Sequence, residues 1–203
     1  MAYFNRAVGI NPNYTAAYFN RAEAYSGLEQ YQNSIYDYTS VIKLEPDRPL
    51  VSLPPGGAYN GRGHAYYMLR QYQRAIEDYN KAIQLDPDYA EAYKYRGGAY
   101  ARLGQSQHPA WNIPLMKRGI QYLDKAIQLD PGYALTYDNR GAAYAGLGQY
   151  QRAIQDYDKA IQLDQDYAPA YYNRGNAYRH LGQDAKADAD KAKACRLEGS
   201  LCN

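Results

Sequence analysis

The sequence predicts an all-α array of stacked helical hairpins, and three observations carry that prediction. Residues 61–89, GRGHAYYMLRQYQRAIEDYNKAIQLDPDY, align with residues 139–167, NRGAAYAGLGQYQRAIQDYDKAIQLDQDY, at most positions. Self-similarity of this length marks a repeat architecture. Within each copy the apolar residues recur at three and four residue steps, as in Tyr137, Gly141, Tyr144 and Leu147 and then Ile154, Tyr157 and Ile161, which is the spacing of an amphipathic helix. Breakers fall at fixed places: Leu-Gly-Gln at 147–149 between the two helical stretches, and Asp-Pro at 86–87 and 130–131 after the second. Each copy therefore reads as helix, turn, helix.

The glycines set the period. Gly63 to Gly97 and Gly141 to Gly175 are each 34 residues apart, whereas Ala22 to Gly63 is 41 and Gly97 to Gly141 is 44. The unit is thus 34 residues, lengthened twice by insertion. In chain order this gives the second half of an incomplete repeat at 1–14, a repeat at 15–48 and an inter-repeat insertion at 49–55. Repeats follow at 56–89, at 90–133 with an inserted loop at 106–115, and at 134–167; the last, at 168–203, ends in a polar capping helix and tail. In the first segment Ile10, Asn11 and Pro12 stand where Leu85, Asp86 and Pro87 stand later, and no first helix precedes them. Either the chain is a fragment of a longer protein or this orphan helix packs on another copy. In the last second helix, AKADADKAKACRL at 185–197, Ala, Lys and Asp replace the apolar columns, as a solvated cap requires.

Composition agrees with copying. The 203 residues include 26 Tyr against two Phe and one Trp, one aromatic choice repeated many times. With 46% apolar and 22% charged residues the chain can bury a substantial core.

These columns resemble the tetratricopeptide repeat family, whose aromatic, Gly, Tyr, Ala, aromatic and closing Pro pattern is matched in five units. The aromatic that is usually Trp is here Tyr18, Tyr59, Tyr93, Tyr137 and Tyr171, and the later Tyr is Tyr25, Tyr66, Tyr100, Tyr144 and Tyr178. Ala75, Ala153 and Ala187 fill the small site, with Ser34 and Gly119 as departures. The closing Pro is Pro46, Pro87 and Pro131; Gln165 replaces it in the fourth unit, where the second helix is expected to run on more smoothly. The resemblance implies a right-handed superhelical solenoid whose first helices line a concave groove, and a protein that binds other proteins.

The most regular charged column is Arg21, Arg62, Arg96, Arg140 and Arg174 on the first helices. Asp37, Asp78, Asp156 and Asp190 each lie 16 residues after their Arg, a spacing that sets acid against base across a helical hairpin. Four intra-repeat ion pairs are expected, against the alternative of an Arg ladder for an anionic ligand. In the third unit Tyr122 takes the place of the Asp, so Arg96 is expected to lack this partner and to meet a ligand.

The groove-facing stripe varies between units that are otherwise copied. It reads Phe19, Glu23 and Ser26; Asn60, His64 and Tyr67; Lys94, Gly98 and Ala101; Asp138, Ala142 and Ala145; Tyr172, Asn176 and Arg179. Steps of four and then three share a helix face. Variation there is either a recognition surface or a solvated face free to drift. The set suits hydrogen bonding to an extended or helical peptide, and partner-binding candidates are Asn60, His64, Tyr67, Lys94, Arg96, Asp138, Asn139, Tyr172, Asn176 and Arg179. The family's chaperone-tail readers use a Lys and Asn pair one turn apart; here Lys94 is followed by Gly98, which lowers that reading even with Asn139 well placed. Trp111, in the loop SQHPAWNIPL, either anchors a partner or folds back on its own hairpin.

Other classes find little support. Lys and Arg are spread along a chain of net charge +2, so no basic stripe calls for nucleic acid. No stretch approaches the roughly 20 apolar residues of a membrane span. His64, His108 and His180 lack metal-ligand spacing, and no phosphate loop or nucleophile elbow is present; no metal, no cofactor and no catalytic activity is expected. Cys195 and Cys202 could be bridged by a turn after a helix end near Gly199, which would favour an extracytoplasmic over a cytoplasmic address. The expected function is a scaffold or adaptor holding a peptide segment or partner protein in its groove. The alternatives are a repeat protein that self-assembles through its open N-terminal half repeat, and the recruiting domain of a longer enzyme.

Overall fold

The computed structural model describes residues 1–44, 55–106 and 109–202, without the side chains of 109–112 and 202. All regular structure among the described residues is helical: α1 (Ala2–Ile10), α2 (Thr15–Gly27), α3 (Tyr31–Leu44), α4 (Gly57–Met68), α5 (Tyr72–Leu85), α6 (Ala90–Ser106), α7 (Pro109–Leu129), α8 (Ala134–Gly146), α9 (Tyr150–Leu163), α10 (Ala168–His180) and α11 (Asp184–Leu197), with a short 3-10 turn at Gly199–Cys202. The chain forms two compact units, Met1–Ala99 and Tyr100–Asn203. In the first, α1 packs on α2, α2 on α3, α3 on α4 and α4 on α5. In the second, α7 to α11 pack in sequence and α8 also touches α10.

The hairpin turns share one backbone device. Glu29, Arg70, Gly148 and Gly182 each adopt positive φ, between 58° and 73°, and the following Gln N–H donates back to a Tyr carbonyl: Gln30 to Tyr25, Gln71 to Tyr66, Gln149 to Tyr144, Gln183 to Tyr178. This left-handed cap satisfies carbonyls that the helix end would otherwise orphan. Glycine meets the conformation freely in two turns; glutamate and arginine do so under strain in the others. Between hairpins the stop is an Asx turn. Asp86, Asp130 and Asp164 accept from the backbone N–H two residues on, at 3.1, 2.9 and 3.0 Å. The expected running-on at Gln165 is therefore corrected: α9 ends at Leu163 and Asp164 is as extended as Asp86, because the aspartate rather than the proline sets the stop.

The inserted stretch of the third repeat also differs from expectation. Residues 109–115, read as loop, belong to α7, which extends to 21 residues. Pro109 opens the helix, where its missing N–H costs nothing, and Pro114 forfeits one intrahelical bond inside it. The 49–55 insertion lies outside the described residues except for Pro55, as does the Trp111 side chain.

The cores are tyrosine on glycine. Tyr38, Tyr79 and Tyr157 are at most 2% exposed, and an added Cβ at Gly63 or Gly141 would sit 2.8 or 2.7 Å from the ring of Tyr79 or Tyr157. The copied glycines thus let first and second helices close on a ring edge. Around them lie Ala75, Ala82, Ala153 and Ala160, all fully buried. In α11 the same ring position is Lys191, and only Ala187, Asp190 and Ala194 are buried. Cys195 is disulfide-bonded.

Arginine joins four of the hairpins to themselves and each of α2, α4, α6, α8 and α10 to the helix before it. Nε and Nη2 of Arg21, Arg62, Arg140 and Arg174 donate to both oxygens of Asp37, Asp78, Asp156 and Asp190, all within 2.9 Å. These are the four ion pairs expected from the spacing. The third nitrogen, Nη1, reaches back 16 residues, from Arg21 to Asn5, Arg96 to Asn80, Arg140 to Asp124 and Arg174 to Asp158. For Arg62 the insertion lengthens the step, and Nη1 donates to Thr39 Oγ1 at 3.2 Å. Each guanidinium also lies 5.0 to 5.7 Å from the ring centroid of its own Tyr18, Tyr59, Tyr93, Tyr137 or Tyr171, adding a cation–π contact.

Candidate functional site

In the first unit the stripe positions are largely filled by their neighbours. Asn60 is buried and donates to Glu91 Oε2 at 3.1 Å. Lys94 is buried too, 3.9 Å from Glu91 and 4.6 Å from the Tyr95 ring centroid. Tyr95 covers His64 at 4.9 Å between ring centroids, approaches Tyr67 at 6.1 Å and stacks on Tyr79. Burial pushes the His64 imidazole below its ordinary value, with Glu91 and Glu23 opposing. On the neighbouring helices Tyr38 donates to Glu23.

Arg96 is buried. It is 7% exposed and its Nη1 donates to Asn80 Oδ1 at 2.8 Å. The Asn80 contact is the backward Nη1 contact that Arg21, Arg140 and Arg174 make as well beside their Asp. Asn60, Lys94, Asp138 and Asn139 are likewise under a tenth exposed; their polar groups are turned inward and do not form an open stripe.

The second unit leaves more room. Between the end of α6 and the first helices α8 and α10 lies a cavity of about 280 Å³. Its floor is small, with Ala142 and Ala145 from α8 and Ala177 from α10, and Gly146 also lines it. Donors rim it: Arg102 and Gln105 from α6, Asn173, Asn176 and His180 from α10. Tyr150 and Tyr157 close one side, and His180 stacks flat on Tyr150 with centroids 4.5 Å apart. Carboxylates are absent from this lining among the described residues. Behind the rim Asp138 is 3% exposed and accepts from Asn173 Nδ2 at 2.9 Å. Burial pushes its carboxyl from the ordinary 3.8 up to about 6, against the pull of the Asn173 hydrogen bond and the Arg102 charge. Burial also pushes the Tyr157 phenol up.

Of the candidates, Asn176 lines this cavity and Asp138 backs it, alongside Ala142 and Ala145 of the same stripe. Tyr172 and Arg179 do not line it. They turn toward α11, where Lys191 lies 5.6 Å from the Tyr172 ring centroid and Asp188 pairs with Arg179. The stripe on α10 is rotated by one residue, to Asn173, Asn176 and His180. Asn173 shares the column of Asn20 and Asn139, just before the copied Arg, and could have been found there; His180 had no signal in the copied columns, whereas Arg102 and Gln105 continue the four-residue step from Gly98 and Ala101. Donors set over a floor of Ala can grip the carbonyls of an extended chain, since small floor residues let a backbone approach. Among the described residues no cluster of three or more His, Cys, Asp or Glu could hold a metal ion, and no helix is long and apolar enough to cross a membrane.

Comparison with known proteins places these features in context. Family models described as tetratricopeptide repeat match residues 15–48, 57–89, 122–155 and 168–200, and one described as TPR repeat matches 143–182. Among solved structures, that of MamA protein is similar at 26% identity over 93% of each chain, with a TM-score of 0.65. A thermophilic TPR protein of Thermus thermophilus aligns at 20% identity over 91% of this chain and 92% of its own, with a TM-score of 0.75. YrrB, a TPR protein with an unusual peptide-binding site, aligns at 20% identity over 97% and 92%, with a TM-score of 0.64. No curated protein sequence matches the chain.

Proposed function

We propose, because this chain belongs to the tetratricopeptide repeat family, that it is a protein-interaction scaffold whose second unit holds an extended peptide segment. The observation that supports this reading is the α6, α8 and α10 cavity, where Arg102, Asn173, Asn176 and His180 rim a floor of Ala. Backbone carbonyls of a segment supply acceptors to those donors, and the floor admits the main chain closely. Of the residues of the sequence-predicted stripe, Asn176 is best placed for this role. A peptide array probed with the purified chain, followed by fluorescence anisotropy on the selected peptides, tests it. Arg102→Ala and Asn176→Ala should each weaken binding about tenfold, the loss of one charge-assisted or amide hydrogen bond, with the thermal melt unchanged. Selected peptides that bind both variants as tightly as the unaltered chain would place the site elsewhere.

A second reading, self-assembly through α1, is favoured by the exposure of Tyr3 at 79% and Ile10 at 75% on one short helix. Sedimentation velocity of the chain and of a Tyr3→Ser, Ile10→Ser variant decides it: assembly lost in the variant supports it, and a monomer in both ends it.

A further inference from the structure

We infer that the cavity of the second unit reads an acidic side chain of the bound segment, and that Asp138 gates this recognition by taking up a proton. The inference rests on the peptide-holding reading of the same cavity. Asp138 stands on α8 one turn before Ala142 of the cavity floor, and its Oδ1 accepts from Asn173 Nδ2, itself part of the rim. From α6 the Arg102 guanidinium acts on the same carboxylate, from α9 the Tyr157 phenol faces it, and from α10 come Asn173 and, farther along the rim, His180. The nearby acids Asp124 on α7 and Asp156 on α9 are both turned to Arg140 instead.

The guanidinium that lines the cavity therefore shares its field with a buried carboxylate behind it. While Asp138 is ionised, an incoming carboxylate gains from Arg102 and loses to Asp138. Once Asp138 binds a solvent proton, the repulsion from its carboxylate ends, and an anion meets Arg102 and the Asn173 and Asn176 amides without the Asp138 charge behind them. Low dielectric around a buried group makes this difference large. Because burial holds Asp138 near pH 6, the change falls in a range that solution pH reaches without unfolding most proteins.

The test uses the full chain and two probes, N-acetyl-glutamate amide and N-acetyl-glutamine amide, followed by NMR shifts of the Asn173 and Asn176 side-chain amides. If only the protonated form is competent, the blocked glutamate binds roughly thirtyfold tighter at about pH 5 than at about pH 7.5, in proportion to the competent fraction. The blocked glutamine shows no such difference. Asp138→Asn should bind the blocked glutamate at the higher pH as tightly as the unaltered chain does at the lower. Histidines gain charge in the same range, so His180→Gln is the control and should keep most of the pH dependence. A blocked glutamate that binds at neither pH, or equally at both, overturns the inference, as does a pH dependence kept in Asp138→Asn and lost in His180→Gln. In the unaltered chain the carboxyl carbon of Asp138 should titrate at higher pH when the blocked glutamate is saturating; an unmoved midpoint also overturns it. Array peptides that need Arg102 and Asn176 yet bind without pH dependence would sink this inference alone, whereas array peptides indifferent to both residues would sink the reading beneath it.

Discussion

Arg140 Nη1 lies 2.7 Å from Asp124 Oδ1, a contact made from the first helix of one hairpin to the second helix of the hairpin before it. The same guanidinium holds Asp156 through its other two nitrogens. The Asp124 side chain is 52% exposed and that of Asp156 only 8%, so the two contacts differ in what their loss leaves behind. Asp156→Ala leaves two nitrogens of a largely buried guanidinium without their acceptor and should cost about 2 kcal/mol. Asp124→Ala removes a solvated partner and should cost less than about 1 kcal/mol. Urea unfolding of both variants checks the order; equal costs would show that the guanidinium relaxes to solvent.

Arg70 occupies the left-handed turn between α4 and α5 with φ of 59°, where the corresponding residue between α8 and α9 is Gly148. Arg70→Gly should stabilise the chain by roughly 0.5 to 1 kcal/mol, the relief of a left-handed side chain less the added freedom of glycine when unfolded. The same replacement at Glu29 should act alike. Thermal melts would show it as a rise of a few degrees.

Gly141 is a site at which a single added methyl should do damage. Its Cβ would lie 2.7 Å from Tyr157 Cε1, in a side chain 2% exposed. Gly141→Ala should cost about 2 kcal/mol through overpacking. Pairing it with Tyr157→Leu should restore part of that loss, and a double-mutant cycle measures the coupling.

Asp138 sets a pH dependence of stability that can be read without any ligand. Its carboxyl is raised to about 6 in the folded chain from an ordinary 3.8, so the folded state holds the proton more tightly. The stability this contributes is fully present below about pH 4 and is lost as pH rises through about 6. Asp138→Asn should therefore match the unaltered chain near pH 4 and exceed it at pH 8 by on the order of 2 kcal/mol. Chemical denaturation at the two pH values checks the sign.

The hairpins, their period and the four ion pairs were legible because copying makes a column visible: an Arg and an Asp that recur 16 residues apart in four units announce a contact. The contact 16 residues backward was not legible, since its acceptor changes from Asn5 to Thr39, Asn80, Asp124 and Asp158. Any short acceptor serves Nη1, so no residue type repeats. That is why Asn80 was not foreseen as a partner of Arg96. The site was half legible for a related reason. Helix phase fixes Asn176 and Ala142, but whether Tyr172 or Asn173 turns to the cavity depends on how Lys191 and Asp188 of α11 draw the flanking residues to their side. The start of α7 at Pro109 was hidden because two prolines read as loop, although one of them sits where a helix tolerates it best.

The three nitrogens of these arginines also bear on how such a chain can lengthen. Residues 134–167 carry a donor for the preceding hairpin in Arg140, their own acceptor in Asp156, and an acceptor for the following hairpin in Asp158. A second copy of that segment spliced in after the first would find Asp158 waiting for its Arg140 and would offer its own Asp158 to Arg174. The joint between neighbours is thus written half in each module, and duplication of one module reproduces a matched joint without any further change of sequence.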